Sequence, residues 1–450
     1  MAMAQGAATP QWTSRFAFLM AAIGSAVGLG NLWRFPFLTG QYGGSAFVLV
    51  YLVCVALVAY PILMSELMVG RHKGLSAIMS AAHLAQDAGK SPNWGIVGVV
   101  GVVGAVLLLT TYSVIAGQVT AYSIMSFLGE FKGDAASSSL PLYSGQGAAL
   151  LWHTLFMIAT IAVVGMGLNN GIEKLVTILM PAFFVLLVIL CIYALTTGAG
   201  AKAVSFLFTP RFNELTAETV LAALGQAFFS LSLGCGTMLT YGSFLSREEN
   251  IASNAGVIAA SDTLVAVVSG LMIFPIVIAF NLDPAQGMGL IFNAMPNVFA
   301  GMPFGSLVGG VFFLLAFVAA LTSAISLLIV AAVVGEDFLG LNKWMSSAVF
   351  GGGIWAIGAA TIFNVDLGPW LDFVSGSIAL PVGGLLIAIL VGWVAPKAAM
   401  RSELPHASDG MFAAWHFVIR YIAPTAVIII LILGLDAKFG WGINALISGK

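Results

Sequence analysis

The chain has 450 residues, 60% of them hydrophobic and only 8% charged, with a formal net charge of -2 and a mean hydropathy of +1.04. That composition excludes an ordinary soluble enzyme, and the lack of a basic cluster argues against nucleic acid as a partner. Repeated apolar runs of about twenty residues or more define a polytopic helical membrane protein.

Residues 1–13 carry no charged n-region before an apolar run and read as a short cytoplasmic tail, not a cleaved signal peptide. Eleven spans follow, at roughly 14–39, 43–71, 94–128, 148–167, 171–197, 217–247, 254–281, 303–337, 343–363, 369–395 and 411–435. Residues 436–450 are too short for a twelfth and form an extracytoplasmic tail. With the N-terminus inside, ten of the sixteen basic residues fall on the cytoplasmic side: Arg15, Arg71, Lys73, Lys90, Lys174, Arg247, Lys343, Lys397, Arg401 and Arg420. Five fall outside, and Arg34 lies within a span. This bias orients the chain N-in, C-out, in the cell (inner) membrane. Cys54, Cys191 and Cys235 all fall in spans, so no disulfide framework is implied.

The first span contains Gly24-Ser25-Ala26-Val27-Gly28-Leu29-Gly30-Asn31-Leu32-Trp33-Arg34-Phe35-Pro36. Three glycines in seven residues, each costing about 1 kcal/mol relative to Ala, suit a broken helix better than a continuous one. Freed backbone groups in a bilayer must face protein or a watery cavity. Close packing through small residues is the alternative.

His72 to Asn93 is amphipathic enough to lie on the cytoplasmic surface. Residues 282–303 contain an apolar piece, Leu290 to Phe299, that suits either a short helix over an outer vestibule or an ordinary loop. The span 217–247 is interrupted at Ser230-Leu231-Ser232-Leu233-Gly234-Cys235-Gly236, five spans after the first interruption. Paired interrupted segments in corresponding halves point to an inverted-repeat transporter and its site. The repeats would be 14–197 and 217–395, with 411–435 an appended helix.

Few polar groups lie at membrane depth, and each needs a reason. The principal ones are Asn31, Glu66, Tyr112, Gln226, Ser230, Ser232, Asp262, Thr322, Ser323 and Asp372. This oxygen-rich inventory disfavours zinc or copper and suits a hard cation such as sodium. Thr322 and Ser323 could instead bond back to their own helix turn. Asp262, in an apolar run, is a functional candidate by default.

Three stretches, Gly24 to Pro36, Gly225 to Gly234 and Ala319 to Ser323, resemble the signatures of the neurotransmitter:sodium symporter family, in the same order. The resemblance is to its bacterial amino-acid transporters of the leucine-transporter type. It implies an all-α membrane fold of about eleven helices in a 5+5 inverted repeat, with helices 1 and 6 broken at mid-membrane, and no enzymatic activity. It also implies two sodium sites. One would use Ala26, Asn31, Ser230 and Asp262, together with the substrate carboxylate. The other would use Gly24, Val27 and Ala319 carbonyls with Thr322 and Ser323 hydroxyls. An acid at 262 would supply the negative charge that chloride-dependent relatives recruit, which implies chloride independence.

By the same resemblance, the substrate carboxylate would meet the amides of Leu29 and Gly30 and the Tyr112 hydroxyl. Its ammonium would meet carbonyls near Ser25, Ala26 and Phe229, with Ser232 assisting. Gly28 stands where amine-transporting relatives carry an acid, so the substrate must bring its own carboxylate. Its side chain would face Leu108, Phe229, Cys235, Ser323 and Leu327. Cys235, small where narrower relatives place an aromatic, favours a large neutral side chain, although it could equally be a plain core residue. Arg34 and Asp372 would form the outer gate, although Arg34 could simply snorkel. Trp12 would plug the inner mouth, with Asp337 a gate acid. Thr9 replaces the arginine expected before Trp12 and Phe244 replaces a common tyrosine, so the inner gate would need another partner, such as Arg15. Gly171 and Pro181 match a spacing that lets the inner end of helix 5 unwind, and Glu66 would support the helix 6 break.

The expected activity is therefore sodium-coupled import of a neutral, large hydrophobic or aromatic L-α-amino acid by alternating access, with the lipid bilayer as surroundings and no obligate protein partner. A non-transporting amino-acid sensor on the same fold is the alternative. A channel is disfavoured because the polar groups collect at one depth, and an intramembrane enzyme because no catalytic constellation appears.

Overall fold

The first helix, α1, begins at Arg15, where the Ser14 side chain caps the free amide of Ala17, and runs to Ala26. Val27 is extended, and the chain resumes as a π-helical turn at Gly30–Arg34 that continues through Phe35–Gln41. The two halves are bent by 51°. The glycine cluster therefore marks a break in the helix, at Val27 and Gly28, while Gly24 within the helix serves close packing.

The computed structural model describes residues 10–130, 145–283, 287 and 289–443. Residues 1–9, 131–144, 284–286, 288 and 444–450 lie outside that description, and with them Thr9, Lys132, Lys450 and parts of both expected tails. Among the described residues nine unbroken helices are long and apolar enough to cross a membrane, and α1 is a tenth. They are α2 (Ser45–Lys73), α3 (Pro92–Phe127), α4 (Gln146–Gly165), α5 (Leu168–Leu195), α7 (Ile251–Ala279), α8 (Gly305–Leu339), α9 (Lys343–Phe363), α10 (Leu367–Val394) and α11 (Asp409–Phe439).

Between α5 and α7 lies α6, in two pieces, Ala217–Ser230 and Thr237–Ser243. A reciprocal Thr216–Thr219 capping box starts it. In the connecting six residues Ser232, Gly234 and Gly236 all have positive φ, of 51°, 81° and 72°. That left-handed run ends the helix, and two of its three positions are glycine, which adopts the conformation without a Cβ clash.

Lipid-like apolar surroundings give helices little hydrophobic reason to associate, so close packing must do it. Gly70 of α2 abuts the backbone of Leu239 and Ser243 in the second piece of α6, where any Cβ would collide. α8 is the central post: 89% of its apolar window is buried, against 22% for α11 at the periphery. The segment between α2 and α3 contains a helix, Ala77–Asp87, and Leu290–Gly301 is also helical, so a short helix and not an ordinary loop occupies that piece. Gly200–Phe208 adds a short helix that hydropathy alone does not single out.

Candidate functional site

The two interruptions face each other, and the polar groups gather between them. From α1, Asn31 is fully buried; its side-chain amide donates to Asp262 Oδ1 at 2.7 Å and to Ser230 Oγ at 3.1 Å. Its Oδ1 accepts from Gly28 N at 3.0 Å, folding the unwound segment back on itself. Ser230 donates to Asp262 Oδ2 at 2.6 Å, and the Tyr51 hydroxyl reaches the same oxygen at 3.4 Å. Asn31, Ser230 and Asp262 thus share one cluster, with Ala26 buried at the last helical position before the break. Tyr51 is a member the sequence does not reveal, since a tyrosine in an apolar span looks like any core aromatic.

A second cluster forms where α1 crosses α8. Ser323 Oγ lies 3.4 Å from the Gly24 carbonyl, 3.3 Å from Ser25 O and 3.4 Å from Val27 O. One turn-mate, Thr322, bonds back to Val318 O and Ala319 O at 3.1 and 3.2 Å. Gly24 makes the crossing possible: a Cβ there would sit 3.1 Å from both Thr322 Cβ and Met180 Sδ. A hydroxyl has one proton to give. Three carbonyls around Ser323 therefore leave oxygen lone pairs over, the donor set a hard cation requires.

Between the clusters, a Cβ on Gly28 would lie 2.8 Å from Ser323 Oγ and 3.1 Å from the Tyr112 hydroxyl. The Leu29 amide donates to Tyr112 OH at 3.4 Å. Phe229 closes over Gly30, its ring 3.0 Å from where a Cβ would stand. Ser232 donates to Ser25 O at 3.2 Å, and Cys235 donates through sulfur to Ser232 O. The Ser25 hydroxyl is buried without a partner. Leu108 and Leu327 are buried on α3 and α8. Gln226 holds Gly30 O, and Glu66 Oε1 accepts from Gly234 N at 2.7 Å across the α6 break.

A cavity lies on each face. On one face a cavity of about 410 Å³ descends past Arg34 and Phe229, with Gly376, Leu380 and Glu218 among its walls. The Arg34 guanidinium stacks 4.5 Å from the Phe229 ring centroid. Arg34 and Asp372 interact electrostatically across this vestibule but do not pair directly, and Asp372 is exposed. On the opposite face Trp12 is buried, donating to Tyr241 O and packing edge-on against Phe18, Tyr241 and Phe244. Asp337 accepts from Ser76 N at 3.2 Å beside a cavity of about 440 Å³. Arg15 does not join it; Arg15 bonds Asn254 and Ser253 and lies 3.8 Å from Glu249, all on the α6–α7 side. The π-helical start of α5 (Leu168–Glu173) contains Gly171, and Glu173 accepts from Thr13 beside Trp12.

On that same face an ion cluster that sequence order hides forms around the buried Arg71 and Glu403. Arg71 donates to Glu403 Oε2 at 2.8 Å, Arg247 also donates to Glu403, and His72 bridges Glu403 and Asp87.

Two discontinuous helices, crossed at mid-membrane and lined with oxygen ligands, define a membrane transporter. The sodium:neurotransmitter symporter family matches residues 9–139 and 144–439, and the chain belongs to that family. A relative from Bacillus subtilis, the uncharacterized sodium-dependent transporter YhdH, is 34% identical over 93% of this chain and 96% of its own length. An uncharacterized sodium-dependent transporter of Haemophilus influenzae is 29% identical over 94% of this chain and 98% of its own. The crystal structure of MhsT in complex with L-phenylalanine superposes with a TM-score of 0.86 and 36% identity, covering 95% of this chain and all of that one. With that match comes the leucine-transporter-type 5+5 inverted repeat.

Proposed function

We propose that the protein imports a neutral, large hydrophobic or aromatic L-α-amino acid together with sodium, by alternating access. The observation that carries this is the convergence of the Gly24, Ser25 and Val27 carbonyls on Ser323, beside Gly28, whose lack of a side chain lets Ser323 and the Tyr112 hydroxyl approach the break. The structural likeness to a transporter holding L-phenylalanine supports the substrate class.

One sodium is held by Gly24, Val27 and Ala319 carbonyls with the Thr322 and Ser323 hydroxyls. The other is held by Ala26 O, Asn31, Ser230 and Asp262, completed by the substrate carboxylate. Asp262 supplies the compensating charge from within the protein, so chloride is not required. The carboxylate lies at the Leu29 and Gly30 amides, the positive start of the second half of α1, with Tyr112 as a further donor. The ammonium lies against the carbonyls of Ser25, Ala26 and Phe229, with Ser232 and the partnerless Ser25 hydroxyl close by. Leu108, Phe229, Cys235, Ser323 and Leu327 surround the side chain, and a charge there would be buried unpaired at a cost of several kcal/mol.

Because the substrate carboxylate completes an ion site, each ligand must raise the other's affinity by the same factor. Arg34 and Asp372 guard the outer vestibule, Trp12 and Asp337 the cytoplasmic mouth, with the N-terminus inside and residues 436–450 outside. Uptake into proteoliposomes, measured for twenty amino acids with and without sodium and chloride, tests the reading. Sodium-driven, chloride-indifferent accumulation of large neutral amino acids is expected. Binding without accumulation would instead identify a sensor, and uptake unchanged in potassium would end the symport reading.

A further inference from the structure

Away from the transport site, α10 and α11 each carry a π-helical turn, Leu390–Val394 and Val418–Ile422, and the two turns touch. Such turns are uncommon and often mark functional positions. Gly392 allows the approach, since a Cβ there would sit 3.0 Å from Arg420 Cα. Trp393 then donates through its indole to Arg420 O at 3.1 Å. The Arg420 guanidinium is held 4.3 Å from the Trp393 ring centroid and 5.6 Å from that of Tyr421.

This arginine has no carboxylate within ion-pair distance among the described residues, and its Nε is buried with no hydrogen-bond partner. A guanidinium held by two rings at the membrane interface, with one nitrogen buried and unpartnered, is well placed to take an anion. Lys397, just beyond α10, adds a second cation, and both bear electrostatically on His416. Beside Arg420 runs a groove of about 430 Å³, walled by Ile389, Trp393, Pro424, Thr425 and Ile428. The groove lies on the outside of the bundle: Trp393 is 54% and Tyr421 48% exposed, and α11 is the least covered of the nine unbroken spans among the described residues. Trp393 stands one residue before the end of α10, the level at which interfacial aromatics meet lipid headgroups.

We infer that Arg420, Trp393 and Tyr421 form a binding site for an anionic phospholipid of the leaflet on the Trp12 side, its phosphate at the guanidinium and an acyl chain along Ile389, Pro424 and Ile428. The planar fork of arginine suits a phosphate bidentately, and the paired rings hold that fork in place.

The test uses the full-length protein in detergent, stripped of lipid and offered phosphatidylglycerol, phosphatidylcholine or inorganic phosphate. Lipid retention is read by native mass spectrometry, and protection by the thermal unfolding midpoint. Wild type should retain phosphatidylglycerol several-fold over phosphatidylcholine and gain several degrees from it. R420Q should lose that preference, while K438Q, on the opposite membrane face, should keep it. W393L, which leaves the charge in place, should weaken retention and keeps the test open if R420Q folds poorly. Equal retention of both lipids by wild type, or an unchanged preference in R420Q, would overturn the site. Protection by inorganic phosphate equal to that by phosphatidylglycerol would overturn its assignment to a lipid.

Discussion

Asn31 donates its side-chain amide to the Asp262 carboxylate at 2.7 Å, tying the unwound middle of α1 to the centre of α7. The same carboxylate takes the Ser230 hydroxyl from the end of the first piece of α6. One acid therefore joins three elements at the point where ion and substrate are proposed to meet.

If Asp262 is the internal counter-charge, D262N removes the charge while keeping the shape. Sodium-dependent amino-acid binding should fall at least about tenfold in chloride-free buffer, the scale of one lost charged interaction. Adding chloride should restore part of it, because the anion replaces the missing charge. Scintillation-proximity binding in gluconate and in chloride checks this; indifference to both the substitution and the anion would remove Asp262 from the ion site.

Ser323 makes the second test. S323A leaves the carbonyls of Gly24, Ser25 and Val27 without the hydroxyl they share. Losing one oxygen ligand to a cation costs about 1.5–3 kcal/mol, or about 10- to 150-fold in sodium affinity. T322A should behave similarly. The sodium concentration for half-maximal substrate binding reports it, while the thermal midpoint without sodium should move little.

Trp12 is buried among three aromatic rings beside the cavity that Asp337 lines. W12A should weaken that packing by about 3–5 kcal/mol, the usual cost of truncating a buried large aromatic. Thiol labelling of S243C, which lines that cavity, should accelerate in the W12A background. An unchanged labelling rate would show that Trp12 does not restrict access to it.

The Glu403 cluster gives a pH prediction. Burial opposes the charge on Glu403, but the hydrogen bonds from His72 and Arg71 and the nearby Arg247 outweigh it, so its carboxyl titrates below the usual range. A depressed native value means a stabilisation that is complete above the unfolded value of about 4.3 and lost as pH falls through the native one. E403Q removes the carboxylate paired with the buried Arg71, leaving that guanidinium only its backbone carbonyl partners Ser246, Glu249 and Glu403, and should cost about 3–5 kcal/mol at neutral pH. Thermal midpoints between pH 7 and pH 3.5 should fall steeply at the acid end in wild type and more gently in E403Q.

The breaks in α1 and α6 are legible because glycine acts locally: Gly28, Gly234 and Gly236 stand where the backbone leaves the helix, and Gly24 and Gly30 flank the first break. Asp262, Thr322 and Ser323 are legible because polar groups in apolar runs are costly wherever the chain goes. Tyr51 and the Arg71–Glu403 pair are not. Tyr51 differs from other core tyrosines only in what faces it across the bundle. Glu403 sits in a short polar connection that reads as surface, and 332 positions separate it from Arg71. The partners of Arg15 were equally hidden: its attraction to Glu249 over Asp337 follows from how α6 returns into α7, which no local pattern encodes.

The Glu66–Gly234 bond sets the two breaks apart. The carboxylate of α2 grips the α6 break from the scaffold with no ligand needed, whereas the polar partners of Asn31 and Ser323 belong to the proposed ion sites themselves. Under the proposed function, the α6 break is braced from the scaffold while the α1 break would draw much of its stiffness from its cargo. The short arm Arg15–Ala26, with Trp12 packed at its far end, would then be the lever for release on the Trp12 side.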